Sequence, residues 1–263
     1  MTILEFVGQY TYLAAVIFAM FRSVRLITVR RDMTSVFFTF GVASLLFSEF
    51  YWIAYEFIRP GTRMPFAANE FGEWALMLLM AETLTTLMRG RPKPPAIYLV
   101  CSVLFTAANT ALWIGWTGEW LQDILTGIIM CYYLYRVIHM LYISGAFAKY
   151  DWTAAGIGSV VLLSFQAVIF FVPESFVPPL DLTCYVLAFS GDCYFLFRAF
   201  TAFRKKAHPD ICVALSFAAE IWAEFMLYMS SGAFYGAALI ICAVCLILKL
   251  RSISMEDGKR DLR

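Results

Sequence analysis

Apolar runs of about 20 residues recur from one end of the chain to the other, and about 20 such residues are what an α-helix needs to cross the ~30 Å hydrocarbon core of a bilayer. Lipid offers no hydrogen bonds, so each run must satisfy its own backbone, which a helix does. A transmembrane β-barrel would instead show short alternating segments separated by turns. The pattern predicts spans near residues 8–27, 35–58, 67–88, 96–114, 119–143, 152–172, 180–202, 209–229 and 232–250. Composition agrees, with 62% hydrophobic and 15% charged residues, against roughly 25% charged in soluble proteins.

The expected fold is therefore all-α, a polytopic transmembrane helical bundle of about nine spans. Residues 1–252 form one membrane domain and residues 253–263 a short disordered tail. The final hairpin is the open point. Between Tyr228 and Tyr235 only Ser230, Ser231 and Gly232 offer a break, and one long helix would reduce the count to eight. All nine prolines fall at predicted span ends, where a missing backbone donor is tolerated, so straight helices are expected.

Charge distribution assigns an orientation. Arg22, Arg25, Arg30 and Arg31 follow the first span, Arg89, Arg91 and Lys93 the third, and Arg204, Lys205 and Lys206 the seventh. The tail adds Lys249, Arg251, Lys259 and Arg260, while WTGEW, FVPESFVPPLD and MSSGAF carry no lysine or arginine. Positive residues stay on the cytoplasmic side, so the N-terminus is expected outside and the C-terminus inside. Arg59 and Arg63, in a connection assigned to the outside, oppose the rule, with Glu56 and Glu70 as flanking partners. Compact size and short loops suggest a bacterial cytoplasmic membrane.

The strongest functional signal is acidic. The stretch from Phe47 to Leu84 holds Glu49, Glu56, Glu70, Glu73 and Glu82, and Asp192, Glu220 and Glu224 lie within later spans. A carboxylate at mid-bilayer is unfavourable by about 2.5–3.5 kcal/mol even on mild scales, so such groups call for partners, protons or water. At the same depth the sequence offers only Arg59 and Arg63 as counter-charges. Arg136, His139, Arg198 and Lys249 read as cytoplasmic-end residues, snorkelling to the interface or facing lipid phosphates. Two resolutions follow: some carboxyls are protonated, or they line a wet cavity that would concentrate cations. The competing reading is that each acid is tied to a polar neighbour and serves packing alone.

Candidate substrate- or proton-binding residues are accordingly Glu49, Glu56, Glu73, Asp192, Glu220 and Glu224. Trp52 and Trp222 join them as aromatic faces that can attract an ammonium group, although packing and interface belts explain most aromatic residues here. Catalytic signals are weak. The two histidines, His139 and His208, form no zinc-protease motif, and neither a phosphate-binding lysine loop nor a dinucleotide glycine fingerprint occurs. No metal and no cofactor is expected. Cys242 and Cys245 form a C-x-x-C inside an apolar span and read, like the other cysteines, as small fillers.

The leading expectation is a permease, or a subunit of one, for a small cationic or proton-coupled solute. A membrane sensor that binds a partner protein and lacks its own effector domain is the alternative, and a lipid-modifying enzyme comes third. Expected partners are the lipid bilayer, a small cation or protons, and a membrane-protein partner or second copy of the chain; nucleic acid is not among them.

Overall fold

The structure is a computed structural model that describes residues 2–59, 68–172 and 177–255. Those residues form nine helices: α1 (Ile3–Arg30), α2 (Met33–Ile58), α3 (Ala68–Leu87), α4 (Ala96–Thr117), α5 (Trp120–Ser144), α6 (Lys149–Phe171), α7 (Val177–Arg204), α8 (Pro209–Met229) and α9 (Gly232–Met255). Eight are long and apolar enough to cross a membrane. The exception is α3, whose 20 residues include Glu70, Glu73 and Glu82.

Local signals set the ends. Thr2 and Glu5 form a reciprocal capping box at the start of α1, and Asp32 caps α2 through the Ser35 backbone N–H at 2.9 Å. Pro209 occupies the first turn of α8, where its missing N–H costs nothing. The last hairpin is two helices. The Ser230 N–H caps α8 on the Leu227 carbonyl, and Gly232 turns the chain at φ 57°, a value glycine adopts without steric penalty.

Eight helices form a closed ring around α8. Around that ring α9 meets α1, then α2, α3, α5, α4, α6 and α7 follow, and α7 returns to α9. The central α8 packs on α5, α7 and α9 and more lightly on α6, and it is the most deeply buried spanning helix. Two close approaches tighten the ring. A Cβ at Gly8 of α1 would lie 2.8 Å from the Cα of Gly236 in α9. One at Gly72 of α3 would lie 2.9 Å from the Cβ of Ser48 in α2. Small residues allow helix backbones to approach where dispersion, and no hydrophobic expulsion, drives association.

The exterior is as apolar as the core, and a few polar and charged side chains are enclosed within it. Large apolar side chains cover the exterior, among them Phe21, Phe57, Leu104, Val160 and Phe197, while Asp151, Gln166, Asp192, Glu220 and Lys249 are buried. An apolar exterior of this extent is a surface for lipid. The helix boundaries also amend the sequence reading at the C-terminus. Residues 253–255 are helical, because Ile253 is fully buried and its carbonyl accepts 2.8 Å from Arg30 Nη1. The tail from residue 256 lies outside the described residues.

The glycine contacts make a measurable contrast. Gly8→Val forces the α1 and α9 backbones apart and is expected to cost about 1–3 kcal/mol, the usual range for overpacking. Gly156→Ala adds a methyl group that meets nothing within 4 Å. Thermal unfolding in detergent should show a lowered Tm for the first and no loss for the second.

Candidate functional site

Three of the acids line one cavity. It lies between α8 and the arc of α1, α2, α3, α5 and α9, has a volume of about 330 Å3, and holds Glu49, Glu73 and Glu224 in its wall. The cavity sits toward the end of the bundle where α2 and α8 finish and α3 and α9 begin. Gly72 helps to create it: pressed against Ser44 and Ser48, it draws α3 onto α2, so that the adjoining Glu73 and Glu49 reach the same space. Glu73 stands within Coulombic range of both Glu49 and Glu224.

Aromatic hydroxyls accompany the carboxyls. Tyr12, Tyr133, Tyr228 and Tyr235 line the cavity together with Trp52, and Tyr228 donates to Glu73 Oε2 at 2.7 Å. No lysine, arginine or histidine is among the lining residues described. Such a wall offers carboxylate and phenol oxygens to a bound cation, and a tyrosine or tryptophan face to an ammonium group.

Glu220 lies one turn deeper on α8 and is committed elsewhere. Its Oε2 accepts a hydrogen bond from Tyr133 at 2.9 Å, and its Oε1 forms an ion pair with Lys249 of α9. Lys249 is fully buried, with its ammonium 5.2 Å from the Phe217 ring centroid. This corrects two sequence expectations: Lys249 is no interface residue, and Glu220 does have a basic counter-charge. The reason is directional. Helical side chains lean toward the N-terminus of their own helix, so a lysine near the end of α9 reaches back into the bundle. Lys249 follows Leu246 by three residues and Cys242 by seven, which places it on the buried face of α9.

The remaining candidates are dispersed. Asp192 on α7 is buried outside the cavity wall, and neither carboxyl oxygen has a hydrogen-bond partner among the described residues. Trp222 faces the opposite side of α8, wedged against Gly158 and Gly191, and donates from Nε1 to the Ala188 carbonyl at 3.1 Å. The Glu56 side chain and Arg63 lie outside the described residues. Toward the other end of the bundle, Glu82 accepts from Tyr132 at 2.6 Å, and Arg136 stacks over Tyr132 and Tyr135. His139 Nε2 meets the Pro92 carbonyl at 2.8 Å.

Sequence reasoning missed two further polar clusters. Gln166 of α6 donates to Asn109 of α4 at 2.7 Å, both buried. Asp151, fully buried at the start of α6, takes Arg198 Nη1 at 2.7 Å and the Tyr194 hydroxyl, so Arg198 is an internal partner and no free phosphate ligand. A lone amide in each of two apolar spans was the available clue to the first.

No protein-family model, curated protein or solved structure matches the chain significantly. The class is defined by the fold: a multi-pass helical membrane protein in contact with the lipid bilayer.

The Glu220–Lys249 pair provides a test of how the bundle centre is held. Lys249→Met or Glu220→Gln alone leaves one buried group without its partner and is expected to lower stability by about 3–5 kcal/mol. Combining the two should recover most of that loss. A double-mutant cycle on unfolding in detergent measures the coupling.

Proposed function

We propose that the chain binds a small cation, an organic ammonium ion or protons, in the Glu49–Glu73–Glu224 cavity and serves its passage across the membrane. One observation carries the reading: carboxyls from three different helices surround one cavity whose described wall contains no basic side chain. Packing alone gives no reason to gather like charges. Three carboxyls that repel one another favour a cation or protons bound among them.

The cavity is suited in size to a solute of few heavy atoms, since about 330 Å3 is at the small end of the roughly 300–1,000 Å3 range of ligand pockets. Glu49, Glu73 and Glu224 act as the charged ligands in this reading, with Tyr228 orienting Glu73. Trp52 and the tyrosines supply aromatic faces. Tyr133 touches both the cavity and Glu220, so it links the bound charge to the internal Glu220–Lys249 pair. A cation arriving at Glu224 and a lysine one turn deeper then compete for the same local negative potential. That competition supplies a physical means of coupling occupancy to the packing of α5, α8 and α9.

Binding and flux are separately measurable. Purified protein titrated with a series of alkylammonium ions should gain thermal stability, because a ligand that binds only the folded state raises its apparent Tm. Glu73→Gln and Glu224→Gln are expected to weaken that effect at least tenfold while leaving the ligand-free Tm within a few degrees. Asp192→Asn, away from the cavity, should leave it unchanged. In proteoliposomes the same two glutamine variants should abolish uptake of the stabilising ion. Stabilisation without uptake by the unmodified protein would point to a sensor; variants that only lower the ligand-free Tm would leave packing as the role of these acids.

A further inference from the structure

On the opposite side of α8 lies a second cavity, larger and of different character. It has a volume of about 610 Å3 and is walled by α4, α5, α6 and α8 with Phe195 of α7. The lining is aliphatic and aromatic apart from a few small polar groups, and one charged side chain, Lys149, stands at its rim. Lys149 is exposed and makes no ion pair among the described residues. The neighbouring carboxylate, Asp151, is turned inward to Arg198 and Tyr194.

The cavity runs lengthwise along the helices. Its α6 wall extends from Lys149 to Leu162, a rise of about 20 Å at 1.5 Å per residue. Half of a bilayer's hydrocarbon core is about 15 Å thick. The rim with Lys149, Tyr98 and Trp152 is the end where α5 stops and α6 begins, the side that the arginine- and lysine-rich connections mark as cytoplasmic. A wall of that length covers the hydrocarbon of one monolayer and leaves the cation beyond its edge, at headgroup level.

The cavity also has a side opening. α4 and α6 are joined at one end by Tyr98 against Trp152, ring centroids 4.9 Å apart, and farther along by the Asn109–Gln166 hydrogen bond. Between those two joints the facing residues include Cys101, which is exposed, and Gly156, where an added Cβ would meet nothing within 4 Å. The helices are thus held together above and below a gap facing the lipid. A second copy of the chain would need a protruding side-chain ridge to fill such a slot, whereas an acyl chain enters it from the bilayer without rearrangement.

We infer that this cavity is a binding site for one anionic phospholipid of the cytoplasmic leaflet, with an acyl chain between α4 and α6 and its phosphate at Lys149. Apolar walls take the chain, the absence of any carboxylate from the described lining removes repulsion, and the single free ammonium selects an anionic headgroup. Leu134, Ile221 and Phe225 line this cavity and the acidic one alike, so a lipid here backs the wall of the cation site.

Native mass spectrometry of the purified protein, titrated in detergent with phosphatidylglycerol or phosphatidylcholine, tests the site. The expected result is one tightly retained lipid per chain, with phosphatidylglycerol favoured at least fivefold. Lys149→Gln should bring that preference below twofold while a lipid is still retained. Gly156→Leu and Cys101→Phe each fill the slot and should abolish retention, and their Tm values identify any variant that fails to fold, leaving the other to decide. Glycerol 3-phosphate, a headgroup without chains, should not displace the lipid. Retention undiminished in a folded slot-filling variant, equal affinity for the two lipids in the unmodified protein, or displacement by glycerol 3-phosphate would each overturn the assignment.

Discussion

The buried pair between Glu220 and Lys249 is the interaction around which the bundle is arranged. It joins the central α8 to α9, and the Tyr133 hydroxyl adds α5 to the same cluster. Two opposite charges enclosed by apolar side chains tolerate little separation, since each left alone would carry the full cost of removal from water. The pair therefore sets how α5, α8 and α9 stand relative to one another. Its effect extends one turn along α8, where Glu224, with no basic neighbour among the described residues of the cavity wall, lines the same space as Glu49 and Glu73.

Around that centre the two faces of α8 border spaces of different character. Toward α1, α2 and α3 the space is lined with carboxyls and phenols; toward α4 and α6 it is long, apolar and open sideways. The partition between them is thin, formed in part by Leu134, Ile221 and Phe225. Trp222 anchors α8 on the second side, filling the room left by Gly158 and Gly191 and donating to Ala188.

Much of the architecture was legible in the sequence. Eight of the nine predicted spans are helices long and apolar enough to cross a membrane, and the ninth, α3, is helical across nearly the expected residues. Hydropathy succeeds here because lipid imposes a one-dimensional rule, a fixed length of apolar residues with internally bonded backbone. The final hairpin was left open between one helix and two, and the structure resolves it as two, with Gly232 at the turn. The site was only partly legible. Glu49, Glu73 and Glu224 were identifiable as costly residues, but so were Asp192 and Glu220, and nothing in the linear order separates the first three from the other two.

Amino-acid order by itself determined that this protein is a bundle of membrane-length helices, which stretch of the chain each helix occupies, and that several acids must be accommodated away from water. Those properties depend on a residue's own chemistry and its near neighbours in the chain. Which acids share a cavity, which one is matched by a lysine, and which face of α8 is polar were decided only by the tertiary structure. They depend on the rotation of each helix about its axis and on the direction in which a side chain leans, quantities set by packing between helices distant in sequence.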